Sequence, residues 1–149
     1  MNGSNAVELL LVEDNPQDLE LALLALTEAL PLTHIPVARD GREALDFLLG
    51  DDQRASARTH ALKVILLDLK LPKIDGLEVL KRLRTDDRTK LIPIVVLTSS
   101  REQRDVVESY QLGVNSYIVK PVNFERFTDA VRNILSYWSL HNQPPKITG

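Results

Sequence analysis

Val64-Ile65-Leu66-Leu67-Asp68-Leu69-Lys70-Leu71-Pro72 runs from four consecutive apolar residues straight into one carboxylate. Apolar residues without alternation mark a strand covered on both faces, as in a parallel sheet flanked by helices. Three more stretches share the pattern: Glu8-Leu9-Leu10-Leu11-Val12, Ile94-Val95-Val96-Leu97 and, more weakly, Tyr117-Ile118-Val119. A fifth, His34-Ile35-Pro36-Val37-Ala38, contains a proline that removes a ladder donor and is tolerated only at a sheet edge. That strand is expected at an edge.

Helical spacing fills the intervals. Leu19, Leu23, Leu26 and Leu30 recur after Asn15-Pro16, where proline suits the first helical position. Ala44, Leu45, Leu48 and Leu49 mark a second helix stopping at Gly50, and Leu77, Leu80 and Leu83 a third starting near Asp75-Gly76. Val106, Val107 and Tyr110 mark a fourth ending at Gly113. The fifth carries the strongest stripe: Phe124, Phe127, Val131, Ile134, Leu135 and Trp138. Five strands alternating with five helices predict an α/β, flavodoxin-like, doubly wound parallel sheet in the order 2-1-3-4-5, with strand 2 at the edge that Pro36 requires. Residues 51–58 read as a long polar loop, and Asn142-Gln143-Pro144-Pro145 as a frayed tail.

The chain has 149 residues, 44% hydrophobic and 26% charged, which fits one domain over 1–149 with a core at about 6–138 and a tail at 139–149. It has no cysteine, so thiolate chemistry and disulfides are excluded. Its 18 basic and 21 acidic residues are intermixed, which argues against nucleic acid as a partner. The absence of a long apolar run leads us to expect a soluble, unexported, cytoplasmic protein that does not engage a membrane.

Ligands of open α/β sheets bind beyond the carboxyl ends of the strands. Those ends carry Glu13-Asp14, Asp68, Thr98-Ser99-Ser100 and Lys120-Pro121. Three convergent carboxylates repel one another unless a hard divalent cation such as Mg²⁺ neutralises them. A carboxylate can also attack phosphorus to form an acyl phosphate, with a lysine and hydroxyl or amide donors steadying the phosphoryl oxygens. Asp68 is the central candidate, with Lys120 and Thr98 as helpers. Taken singly, Asp14 reads more readily as a helix cap, Thr98 and Ser99 as caps, and Lys120 as a solvated charge. His34, His60 and His141 lack ligand spacing.

Four motifs in order, Leu10-Leu11-Val12-Glu13-Asp14-Asn15, Leu66 to Pro72 with Asp75-Gly76, Val96-Leu97-Thr98-Ser99 and Tyr117-Ile118-Val119-Lys120-Pro121, resemble the receiver domain of two-component response regulators. The resemblance implies that Asp68 is phosphorylated by a sensor histidine kinase. It also implies Mg²⁺, or another divalent cation such as Mn²⁺, on Asp14, Asp68 and the Lys70 carbonyl, with Glu13 acting through water. Thr98 and Lys120 would hold the phosphoryl group, Thr98 and Tyr117 would switch on activation, and the Lys120–Pro121 bond would be cis. Lys70 and Ser100 stand where such proteins tune dephosphorylation.

A narrower resemblance rests on the 51–61 segment, Asn15-Pro16, Ser116-Tyr117 and Tyr137-Trp138. These look like regulators that partner bacterial phytochromes, which implies a bacteriophytochrome donor and a homodimer through helix 4, strand 5 and helix 5. Two competing readings are an interaction module that is never phosphorylated and an aspartyl-phosphate phosphatase. The latter needs a second aspartate where Lys70 stands. The six glycines form neither a dinucleotide fingerprint nor a P-loop.

Overall fold

The computed structural model describes residues 8–29, 35–51, 55 and 59–145. Strands β1 (Leu9–Val12), β2 (Val37–Ala38), β3 (Val64–Leu67), β4 (Ile94–Thr98) and β5 (Ser116–Val119) form one sheet in the order β2-β1-β3-β4-β5. Every neighbouring pair is parallel. Pro36 sits just outside the edge strand, where its carbonyl accepts the Leu11 amide at 3.2 Å.

Helices α1 (Pro16–Ala29), α2 (Gly41–Leu49), α3 (Gly76–Thr85), α4 (Gln103–Gln111) and α5 (Phe124–Leu135) cover both faces. The two-residue period of β1 divides the core. Leu9 and Leu11 pack with Leu19, Ala22 and Leu26 of α1 and Phe127, Val131 and Ile134 of α5. Leu10 and Val12 face Ala44 and Leu48 of α2 and Val79, Leu80 and Leu83 of α3. Continuous apolar strands are thus consumed from two sides.

Helix starts follow cap chemistry. Asp40, Asp75 and Asn123 accept the amides of Glu43, Glu78 and Arg126. Asn15 does the same for Asp18 at 2.9 Å, so the α1 cap is Asn15 and Asp14 is free for other work. Gly113 closes α4 with φ +94°, a conformation that favours glycine.

Two sequence expectations need correction. Within the stretch read as a polar loop, Ala55 is helical and buried, and residues 59–61 are helical as well; a buried alanine anchors what charge composition alone marked as loop. The tail does not begin at 139 either. A π-helix (Ser136–His141) extends α5, with Ser139 buried and its carbonyl accepting the Lys63 ammonium at 3.2 Å. Leu30 and His34 lie outside the described residues.

Gly76 connects fold to site. Its amide donates to the Leu69 carbonyl at 2.9 Å, and a Cβ there would lie 2.5 Å from the Asp68 carbonyl oxygen and from Leu69 Cα. Gly76→Ala should therefore cost about 1–3 kcal/mol, the usual range for overpacking. Urea unfolding of the variant against the parent measures this; an unchanged midpoint would show that the β3–α3 turn yields freely.

Candidate functional site: an acidic triad around one lysine

The ladder itself positions the site. The amides of Glu13, Asp68 and Lys120 each continue a strand by one residue, donating to Ala38, Val12 and Thr98 carbonyls at 3.0, 3.1 and 2.7 Å. All three side chains are buried at one rim. Lys120 Nζ lies 2.8 Å from Glu13 Oε1, 2.9 Å from Asp68 Oδ2 and 2.7 Å from Asp18 Oδ2.

Remaining lone pairs are partly used. The Lys70 amide donates to Asp68 Oδ1 at 3.1 Å, and the Asn15 amide to Glu13 Oε2 at 3.0 Å. Asp14 is exposed, yet it offers an oxygen within 4.8 Å of ligand atoms on Glu13 and Asp68. An all-oxygen set of this kind suits Mg²⁺ or Mn²⁺.

The charges do not balance. Burial and the Asp68 charge push Glu13 up to about 7, against the opposing pull of Lys120 and the Asn15 amide. Burial also disfavours the Lys120 ammonium, but its bonds to Asp18, Glu13 and Asp68 outweigh that and hold it above the ordinary lysine range. Both groups therefore hold a proton more tightly than usual, because three carboxylates share one cation: the lysine gains from all of them, whereas its pull on Glu13 does not offset burial and the Asp68 charge.

Thr98 is fully buried, its Oγ1 accepting the Ser100 amide at 3.4 Å. Tyr117 is half-buried and donates its hydroxyl to the Ser100 carbonyl at 3.0 Å. Burial, with the nearby Asp105 and Asp68 charges, raises that phenol despite the hydrogen bond. Lys70 sends its side chain to Asp105, 3.8 Å away. The rim therefore holds Glu13, Asp14, Asp68, Thr98 and Lys120 together, with Lys70 and Tyr117 beside it.

Sequence reasoning missed Asp18. Asp18 lies in the first turn of α1, which overhangs the same rim five residues beyond Glu13. The expected cis bond at Lys120–Pro121 is also corrected, since no described peptide bond is cis. Trans is the intrinsically favoured form by about 0.5–1 kcal/mol, and Lys120 reaches all three carboxylates in it.

This fold and rim define a receiver domain. Residues 9–132 match the response regulator receiver domain, and the chain belongs to that family. Among relatives, the probable methanogenesis regulatory protein FilR2 of Methanothrix harundinacea is 40% identical over 138 residues, covering 92% of this chain and 86% of its own. The phosphorylated cyanobacterial phytochrome response regulator RcpA superposes with a TM-score of 0.85 at 37% identity, covering 95% of this chain and 99% of its own. The Mn²⁺-bound form of response regulator Rcp1, a protein of Synechocystis, gives 0.82 at 36%, covering 93% and 99%. Receiver domains work with histidine kinases, and their chemistry is self-catalysed phosphotransfer and dephosphorylation rather than enzymatic turnover. Among the described residues no helix is long and apolar enough to cross a membrane.

The raised Glu13 carboxyl sets a pH dependence. An unfolded glutamate titrates near 4.5, so the folded state holds the extra proton between there and about 7. This contribution is complete below pH 4.5 and is lost as pH rises to about 7, on the order of 3 kcal/mol at most. Urea unfolding in EDTA should show that decline, and Glu13→Gln should flatten it. Mn²⁺ needs the carboxylate, so its affinity should fall up to about tenfold per unit below pH 7; calorimetric titrations at pH 6 and 8 that agree would refute this.

Proposed function

We propose that Asp68 accepts a phosphoryl group from the phosphohistidine of a sensor histidine kinase. The observation that carries this reading is a buried strand-end carboxylate, 2.9 Å from a lysine and grouped with Glu13 and Asp14. An Asp68 carboxylate oxygen attacks phosphorus, the P–N bond breaks and imidazole leaves with the electron pair. A divalent cation, held by Asp14, Asp68 and the Lys70 carbonyl with Glu13 through water, offsets charge on the phosphoryl oxygens. Lys120 pairs with those oxygens, and the Thr98 hydroxyl turns inward to them. Its motion frees space for Tyr117, which exchanges its bond to the Ser100 carbonyl for a more buried rotamer and so changes the α4–β5–α5 surface.

That surface is the proposed homodimer contact. Val107 and Tyr110 on α4, and Val122 and Phe124 at the start of α5, are exposed apolar residues, Val122 at 95%. We place the protein in the cytoplasm and take a bacteriophytochrome as the donor. The likeness to RcpA and its Ser116-Tyr117 and Tyr137-Trp138 pairs support that donor. Nucleic acid and membrane are not proposed as partners, because the charges are mixed in sign along the chain.

Acetyl phosphate with Mg²⁺ should add one phosphoryl group by intact mass, and Asp68→Asn should add none. An unlabelled parent would favour the interaction-module reading, whereas a labelled Asp68→Asn protein would move the acceptor elsewhere. Phosphotransfer profiling against sensor kinases tests the donor. For the dimer, Val122→Glu with Phe124→Glu should convert a sedimenting dimer to monomer, while the phosphorylation yield stays unchanged.

A further inference from the structure

The Lys70 carbonyl, assigned above to the cation, shares one planar peptide with the Leu71 amide, so neither turns without the other. That amide donates to the Leu69 carbonyl at 3.2 Å, and the Pro72 carbonyl then accepts the Gly41 amide at 3.4 Å. Lys73 follows with φ +68°, the only non-glycine residue with positive φ among the described residues. Its Cβ makes that conformation unfavourable. The reversal packs Ile74 against the core and brings its carbonyl so near Gly41 that a Cβ on Gly41 would overlap the oxygen.

Asp40 spans this junction. Its Oδ1 accepts the Glu43 amide at 2.8 Å as the cap of α2, and its Oδ2 lies 3.3 Å from Lys73 Nζ. Asp40 is 6% exposed, whereas the Lys73 side chain is 65% exposed. The Glu43 amide and Lys73 hold the Asp40 carboxyl below the ordinary aspartate range against the effect of burial, so it is charged at neutral pH. A residue in an unfavourable backbone conformation persists only where its surroundings hold it there, and the β2–α2 turn supplies that hold.

We infer that Lys73 is a positioning residue: clasped by Asp40, it keeps the β3–α3 loop in a left-handed turn that sets the Lys70 carbonyl for a divalent cation shared with Asp14 and Asp68. The inference rests on the cation reading given above. Downstream of Lys73 the chain is fixed, because Ile74 packs on the core and Asp75 caps α3. Relaxation of Lys73 is therefore taken up upstream, where the long Gly41–Pro72 bond resists weakly and the peptide of Lys70 and Leu71 turns. Charge alone predicts the opposite effect of the lysine. A positive charge near an acidic site disfavours a cation, so its removal would tighten binding.

Calorimetric titration with Mn²⁺ at pH 8, where Glu13 is ionised, separates the two. Lys73→Ala loses the clasp and keeps the Cβ, and its affinity should fall about twofold to fivefold, the range of an exposed ion pair. Lys73→Gly and Lys73→Asn also lack the charge but tolerate the left-handed turn, and they should recover most of the affinity. Asp40→Asn retains an oxygen for the Glu43 amide, and it should weaken binding more in the parent than in the Lys73→Gly background. The Lys73 side chain is exposed, so its variants leave the core intact. A Lys73→Ala protein that binds Mn²⁺ as tightly as the parent or more so overturns the clasp, as do equal affinities in Lys73→Ala and Lys73→Gly. A parent that binds no Mn²⁺ overturns the cation reading beneath it.

Discussion

One buried ammonium organises this molecule. Lys120 touches Glu13, Asp18 and Asp68, with Asp14 alongside. Removing charges from water is costly unless they are paired, so these carboxylates depend on the lysine to remain together at a strand end. The pairing is also incomplete. Burial, with the surplus negative charge beside it, raises Glu13, and a hard divalent cation suits that surplus. A phosphoryl group would add negative charge to the same place, which makes the need for a cation greater.

The fold supplies that cluster without strain on the strands. Because β1, β3 and β5 run in one direction and their ladders continue by one residue, Glu13, Asp68 and Lys120 emerge together. Packing constrains the surroundings too. Gly76 lets α3 start against the Asp68 carbonyl, so the helix and the carboxylate share a turn. Asn15 caps α1, which leaves Asp14 unclaimed by the helix and brings Asp18 over the rim.

Much of this was legible in residue order. Unbroken apolar runs announced strands buried on both faces, and Pro36 placed β2 at the edge. The rule that parallel strands present ligands at their carboxyl ends then gathered Glu13, Asp14, Asp68, Thr98 and Lys120. What escaped has physical reasons. Asp18 contributes through a contact 102 residues distant in sequence, and no local pattern reports such a distance. Asp105 lies in the first turn of α4, where acids are common, and only the tertiary approach of Ser100 and Lys70 distinguishes it. The stripe carried the last helix to Trp138, but its π-helical form and its reach to His141 were hidden because a widened turn preserves composition while shifting the phase of the stripe, leaving Tyr137 exposed, Trp138 half-buried and Ser139 inside.

The sheet is uneven in one respect. All residues of β1, β3 and β4 are buried, whereas every residue of β5 is only half-covered. Local opening is easiest where buried contacts are fewest. The molecule thus resembles a gauge with a rigid dial and a compliant pointer: three strands hold the acceptor fixed, and the margin that bears Tyr117 can be displaced without disturbing them. In the proposed mechanism, charge deposited at the stiff centre would be read out at the soft edge.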